Sequence, residues 1–156
     1  MLLEFVKKHF EPPHFAALRE ISLFAELSTG ELRTVDNLLH QRTYIQDEIV
    51  FDEGEQGQAV YFILQGKVLV CRQGRPVDGV IAEISAGECF GELALLDDVP
   101  RMAQVRAAEN CTLAVLFRND FLNLLQTHSV VSSKLSLQLA RLIGSRLRGA
   151  VYRCVV

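Results

Sequence analysis

The apolar positions of this chain change their period twice. Phe15, Leu18, Ile21 and Leu23-Phe24 recur at helical spacing, and Ser28-Thr29-Gly30-Glu31 supplies a capping box ahead of a helix carrying Leu32, Val35, Leu38 and Leu39. Pro12-Pro13 interrupts the chain first, setting residues 1–11 apart as a short amphipathic helix with Leu2, Leu3, Phe5, Val6 and Phe10 on its apolar side. From about Arg42 the runs become short and β-branched: Thr43-Ile45, Ile49-Phe51, Val60-Leu64, Lys67-Arg72, Val80-Ile84, Gln104-Ala107 and Leu113-Phe117. Glycines lie between them, and Gly74-Arg75-Pro76 reads as a hairpin tip. Seven or eight antiparallel strands without a long parallel crossover predict a mainly β fold, a jelly-roll-like barrel over about 42–117 with flanking helices. After Phe117 the helical period returns in Asn119 to Gln126 and again from about Val130 to Arg148. In that last segment Val131, Leu135, Leu139 and Leu142 form one stripe, with Ile143 and Leu147 beside it. Such a helix either covers the barrel or pairs with its copy in a homodimer. The division that results is a helical extension at 1–14, one domain at 15–148 and a tail at 149–156.

Composition narrows the picture. A chain of 156 residues, 49% hydrophobic and 22% charged, buries one sizeable core. A formal charge of -3 offers no global attraction to nucleic acid or to anionic membranes. Cys71, Cys89, Cys111 and Cys154 form no C-x-x-C pair, which fits a reducing, cytoplasmic setting. The N-terminus carries its basic residues after its apolar ones and does not read as a signal peptide. No run approaches the ~18 apolar residues of a membrane-spanning helix, and Cys154 lies third from the end, one place off the prenylation pattern.

One stretch, Gly87 to Val105, carries the chemistry. Glu92 to Leu96 are good helix formers set between strands, so a single helical turn is expected there. Gly91 lets another group approach its first backbone N–H groups, which suits an anion. Arg101 follows nine residues after Glu92 and offers fixed donors to a singly charged phosphate. A carboxylate in an anion site needs a donor of its own, and a ribose 2'-hydroxyl supplies one. An ordinary surface ion pair would place the same two residue types in the same way.

The run Phe90-Gly91-Glu92-Leu93-Ala94-Leu95-Leu96, followed by Pro100-Arg101-Met102-Ala103-Gln104-Val105, resembles the phosphate-binding cassette of cyclic-nucleotide-binding domains of the catabolite activator and cyclic-AMP-dependent kinase type. Upstream, Glu53 to Val68 is similar to the glycine-bounded hairpin that precedes the cassette in that family. The resemblance implies that Glu92 accepts the ribose 2'-hydroxyl and that Arg101 pairs with the cyclic phosphate. It implies a cradle of backbone N–H groups near Leu93, Ala94, Met102 and Ala103, with Val60 and Phe62 as apolar walls for the base. The C-terminal helix would be a lid whose movement is the output to a downstream protein. Met102 has no hydroxyl to offer guanine, which favours cyclic AMP over cyclic GMP, and Gln104 is expected to add bulk near the pocket. The chain stops within ten residues of Leu147, so a DNA-reading helix is not expected within it. Arg141, Arg146, Arg148 and Arg153 read as helix C-terminal charge and solvated face.

Two other classes compete with a sensor. A metal enzyme on a jelly roll needs clustered histidines, and His9, His14, His40 and His128 all fall outside the predicted strands, so no metal or catalytic set is assigned. Cys89 fills apolar space better than it serves as a nucleophile. A module that has kept the fold and lost the ligand, serving dimerisation or docking, is the alternative.

Overall fold

The computed structural model describes residues 13–72 and 79–155. The proposed helix at 1–11 and the proposed hairpin tip Gly74-Arg75-Pro76 lie outside these residues. Helix α1 spans Pro13–Arg19, a 3-10 turn follows at Ser22–Phe24, and α2 spans Thr29–Asp36. The break between α1 and the turn replaces the single helical run that the spacing of Phe15 to Phe24 suggests. Ser28 caps α2 as expected, its Oγ accepting from Glu31 N–H at 3.3 Å while its own N–H donates to Glu31 Oε2 at 2.8 Å.

Eight strands follow among the described residues: β1 His40–Tyr44, β2 Ile49–Phe51, β3 Ala59–Gln65, β4 Lys67–Cys71, β5 Val80–Ser85, β6 Cys89–Phe90, β7 Gln104–Ala107 and β8 Cys111–Phe117. They form two four-stranded antiparallel sheets, ordered β1-β8-β3-β6 and β2-β7-β4-β5. The architecture is jelly-roll-like, two facing sheets without a continuous ladder closing them into a barrel. Two-residue β6 is too short to announce itself in the sequence. His40 opens β1 and packs edge-on against Phe117, so the expectation that every histidine lies outside the strands fails there. Among the described residues no three His, Cys, Asp or Glu side chains gather into a candidate metal site.

Alternation along the strands builds two cores. Tyr61, Ile63, Leu113 and Val115 point from the first sheet toward Phe51, Val68, Ile84 and Val105 of the second. Val60, Phe62, Ala114 and Leu116 point the other way, into a layer of helices that includes Phe15, Leu18, Phe24 and Leu32. The β1-β8-β3-β6 sheet is therefore the middle of three layers. Completing the outer layer are α3, Arg118–Thr127, and α4, Ser129–Val155. Val131, Leu135 and Leu139 of α4 are buried against this core, so that stripe covers the sheet. Ser132 Oγ donates to the carbonyls of Leu124 and His128 at 2.7 and 2.8 Å and fixes the α3–α4 corner. The helix runs seven residues past Arg148, through the segment expected to be a tail. Among the described residues no helix is long and apolar enough to cross a membrane.

Candidate functional site

The segment between β6 and β7 folds as a 3-10 turn, Glu92–Leu95, entered through Gly91 at φ 72° and ψ 19°. That left-handed conformation is open to glycine with little strain. A Cβ at Gly91 would lie 2.6 Å from Arg101 Nη1, so the missing side chain is also the space that the guanidinium occupies. Ala94 N–H bonds back to Gly91 O at 3.2 Å, which closes the turn and uses one of the N–H groups that sequence comparison assigns to the phosphate cradle.

Arg101 is 8% exposed. Its Nη2 donates to Ala59 O at 2.8 Å and its Nη1 to Gly91 O at 3.2 Å, and its guanidinium lies 4.0 Å from the centre of the Phe51 ring. Burial lowers its pKa from the ordinary arginine value, while Tyr61, Glu55 and Glu92 pull the other way. The backbone of Arg101 is pinned too. Its N–H donates to Glu55 O at 2.7 Å, and its carbonyl accepts from Gly54 N–H at 2.8 Å. Gly57 packs beneath, where a Cβ would lie 3.1 Å from Ala94 Cβ and 3.2 Å from Val99 O. The glycine-bounded stretch upstream thus acts as the clamp that positions the arginine.

Glu92, 6% exposed, does not use Arg101 as its salt-bridge partner. Its Oε2 meets Arg146 Nη1 of α4 at 2.5 Å, and Arg146 Nη2 donates to Cys89 O at the same distance. Arg146 thus ties the last helix to the residues on either side of Gly91. Sequence reasoning assigned it to a solvated basic cluster. The missed signal is its register: Arg146 lies four residues beyond Leu142 and seven beyond Leu139, on the face that packs toward the sheet.

Glu92, Arg101 and Arg146 line one cavity of about 180 Å³, together with Gly91, Leu93, Ala94, Met102 and Ala103. Its apolar walls include Phe51, Val70, Ile84, Phe90 and Val105. Val60 and Phe62 are not among the lining residues. Both are fully buried in the helix-side core, because the alternation of β3 turns Tyr61 and Ile63, not them, toward the facing sheet. Nor does Gln104 crowd the cavity: it is buried within β7, bonded to Asp52 and accepting from Cys71 Sγ and Arg106. Met102 stands at the rim, 78% exposed. Cys89, buried behind Gly91, has its thiol pKa pushed up to about 12 chiefly by desolvation, so thiolate chemistry is suppressed there.

Two guanidinium groups against one carboxylate leave the cavity with a net charge of one positive, set in an apolar surround. That arrangement suits a monoanion with an apolar ring system and a free hydroxyl. Comparison with known proteins points the same way. The model of the cyclic nucleotide-binding domain matches residues 41–128. The chain is 35% identical over 108 residues to a cAMP-dependent protein kinase regulatory subunit of Debaryomyces hansenii, covering 69% of this chain and 23% of that protein. It is 36% identical over 131 residues to the cyclic AMP receptor protein of Thermus thermophilus, covering 82% of this chain and 58% of that one. It therefore spans less than two thirds of either relative. The crystal structure of a cyclic nucleotide-binding domain from Methylobacillus flagellatus superposes with a TM-score of 0.78 at 28% identity, covering 92% of this chain and 81% of that one.

Proposed function

Because the chain belongs to the cyclic nucleotide-binding domain family, we propose that it is a non-catalytic sensor that admits cyclic AMP, in preference to cyclic GMP, and reports occupancy through α4. The observation that carries this is that Glu92 and Arg101, nearly buried, face one cavity whose net charge balances a cyclic phosphate diester. Arg101 holds the phosphate, and Glu92 accepts the ribose 2'-hydroxyl. Gly91, Leu93, Ala94, Met102 and Ala103 line the surround, with Phe51, Val70, Ile84 and Val105 against the base. Among the described residues no side-chain hydroxyl lines the cavity to select guanine, and the two relatives named above carry cyclic AMP in their names. An acyclic nucleotide brings a second phosphate charge to a cavity whose net charge is one positive.

The cavity is smaller than the ~300–1,000 Å³ usual for small-molecule pockets. Arg146 stands in its lining and holds the carboxylate that the sugar needs. Ligand entry therefore displaces Arg146 and frees α4 at that point, which supports the helix as the output. Four free cysteines, of which Cys71, Cys89 and Cys111 are buried, fit a reducing cytoplasm.

Arg101→Ala is a poor first test, since it strips donors from two backbone carbonyls. Titration calorimetry on wild type and Glu92→Ala with cyclic AMP, cyclic GMP and 5'-AMP is cleaner, with ligand-free melting as the folding control. Cyclic AMP is expected to bind wild type tightest and a folded Glu92→Ala weakly. A melting temperature unmoved by any of the three would instead leave a docking module that has lost its ligand.

A further inference from the structure

Arg101 brings its charge to the cavity without a carboxylate of its own. Its two side-chain bonds go to carbonyl oxygens, Gly91 O and Ala59 O, and among the described residues no carboxylate forms a salt bridge with it, since Glu92 pairs with Arg146. What faces the guanidinium instead is aromatic. Its Cζ lies 4.0 Å from the centre of the Phe51 ring and 5.7 Å from that of Tyr61. The Phe51 ring is itself held: Tyr61 stands 5.6 Å from it and Phe90 5.9 Å, and those two stack on each other at 5.2 Å and 4°.

Three strands build this box, and their chain paths tie it to the arginine. Tyr61 of β3 pairs with Phe90 of β6 in the first sheet. Ala59, two residues before Tyr61, and Gly91, one after Phe90, are the residues whose carbonyls receive the guanidinium. Phe51 comes from the other sheet, and its orientation depends on a register shift. Ile49 of β2 lies opposite Arg106 of β7, yet Phe51, two residues on, lies opposite Val105 instead of Gln104. One residue of slip exchanges the two faces of a strand. Here it turns Phe51 inward beside buried Val105, while Ile49 stays exposed.

The geometry points to Phe51 as the positioning residue of the phosphate-binding arginine: its ring face holds the guanidinium in place while leaving the positive charge free for the ligand. A carboxylate in the same place would orient the arginine but cancel the charge that an incoming phosphate needs. The face of a ring attracts a cation through its quadrupole, most strongly where water is excluded, and carries no net charge. An arginine that is already ordered loses little side-chain freedom when the ligand arrives. The assignment rests on Arg101 as the group that meets the phosphate, and it gives Phe51 a role separate from its place against the base.

Titration calorimetry with cyclic AMP and with its two phosphorothioate diastereomers, in which sulfur replaces one or the other exocyclic oxygen, separates those roles. A guanidinium held at one place bonds the two oxygens unequally, so wild type is expected to discriminate between the diastereomers. Phe51→Leu, with ligand-free melting as the folding control, should bind cyclic AMP about 2–12-fold more weakly and bring the affinity ratio of the diastereomers toward one. Phe51→Tyr, which keeps the ring face, should restore the wild-type ratio. Loss of base packing alone would weaken both diastereomers alike, and an unchanged ratio in Phe51→Leu would overturn the proposal. NMR of the wild type reads the contact without a variant: the Arg101 side-chain resonances should be displaced upfield by the ring current and stay displaced when cyclic AMP is added. Ordinary arginine shifts in the complex would also overturn it. A wild type that binds none of the three ligands would bring down the proposed function and this assignment with it, whereas cyclic AMP binding that Phe51→Leu leaves intact would bring down this assignment alone.

Discussion

Arg146→Met keeps the length and apolar stem of the side chain and removes only its charged head. That head makes a salt bridge to Glu92 and a bond to Cys89 O. Hydrogen bonds to charged groups contribute about 1.5–3 kcal/mol each. Arg146 is 36% exposed, so solvent screening brings the pair toward surface values. A net loss of about 1–2 kcal/mol follows, or a fall in Tm of roughly 2–8 °C for a domain of this size. Binding moves the other way. If the sugar hydroxyl takes Glu92 from Arg146, the variant no longer opposes it, and affinity for cyclic AMP rises by a factor of about 5–30. Calorimetric titration beside ligand-free melting reads both numbers. Raising the salt should tighten binding to wild type more than to the variant, relative to what phosphate screening takes from both. Weaker cyclic AMP binding by a folded Arg146→Met would refute the latch and make Arg146 a ligand contact. An unmoved Tm would remove the pair itself.

Gly91→Ala adds a Cβ 2.6 Å from Arg101 Nη1 at a residue with φ 72°. Left-handed backbone alone costs a non-glycine residue about 1–2 kcal/mol, so both melting temperature and cyclic nucleotide affinity should fall, and wild-type affinity would place the guanidinium elsewhere. Glu31 has its carboxyl held below the ordinary range, first by Lys134 and then by the backbone of Ser28. A depressed folded-state pKa stabilises at neutral pH and is lost as pH falls through it. Lys134→Ala should therefore lower Tm near pH 7 and converge with wild type as the pH falls through the lowered pKa of Glu31, as melting across an acid pH series would reveal.

The parts of the fold legible in the sequence are those that short stretches decide. The Ser28–Glu31 box needs four residues, and the strand boundaries from Ile49 to Phe117 follow glycines and β-branched runs. The side-chain assignments on β3 failed for a physical reason. Ala59 to Leu64 is an unbroken apolar run, buried on both faces from Ala59 to Ile63, so nothing in it says which parity meets the cavity. Arg101 and Glu92 were legible as a pair of residue types, and the two line one cavity. Their real partners, two carbonyls and Arg146, were not, since those contacts join residues 10, 42 and 54 positions apart. Ending the last helix near Arg148 made Arg146 look terminal, where a positive charge is unremarkable; a helix running to Val155 makes it an interior position that needs a partner.

Strand β3 has solvent on neither side over Ala59 to Ile63. Its Ala59 carbonyl receives Arg101, Tyr61 stacks on Phe90 in one core, and Phe62 meets Phe24 in the other at 4.7 Å. A partition packed on both surfaces cannot absorb a push by swelling outward. If a ligand bears on the guanidinium as proposed, the push passes across the thickness of one peptide plane to the N-terminal helices, a second place where an arriving molecule would register.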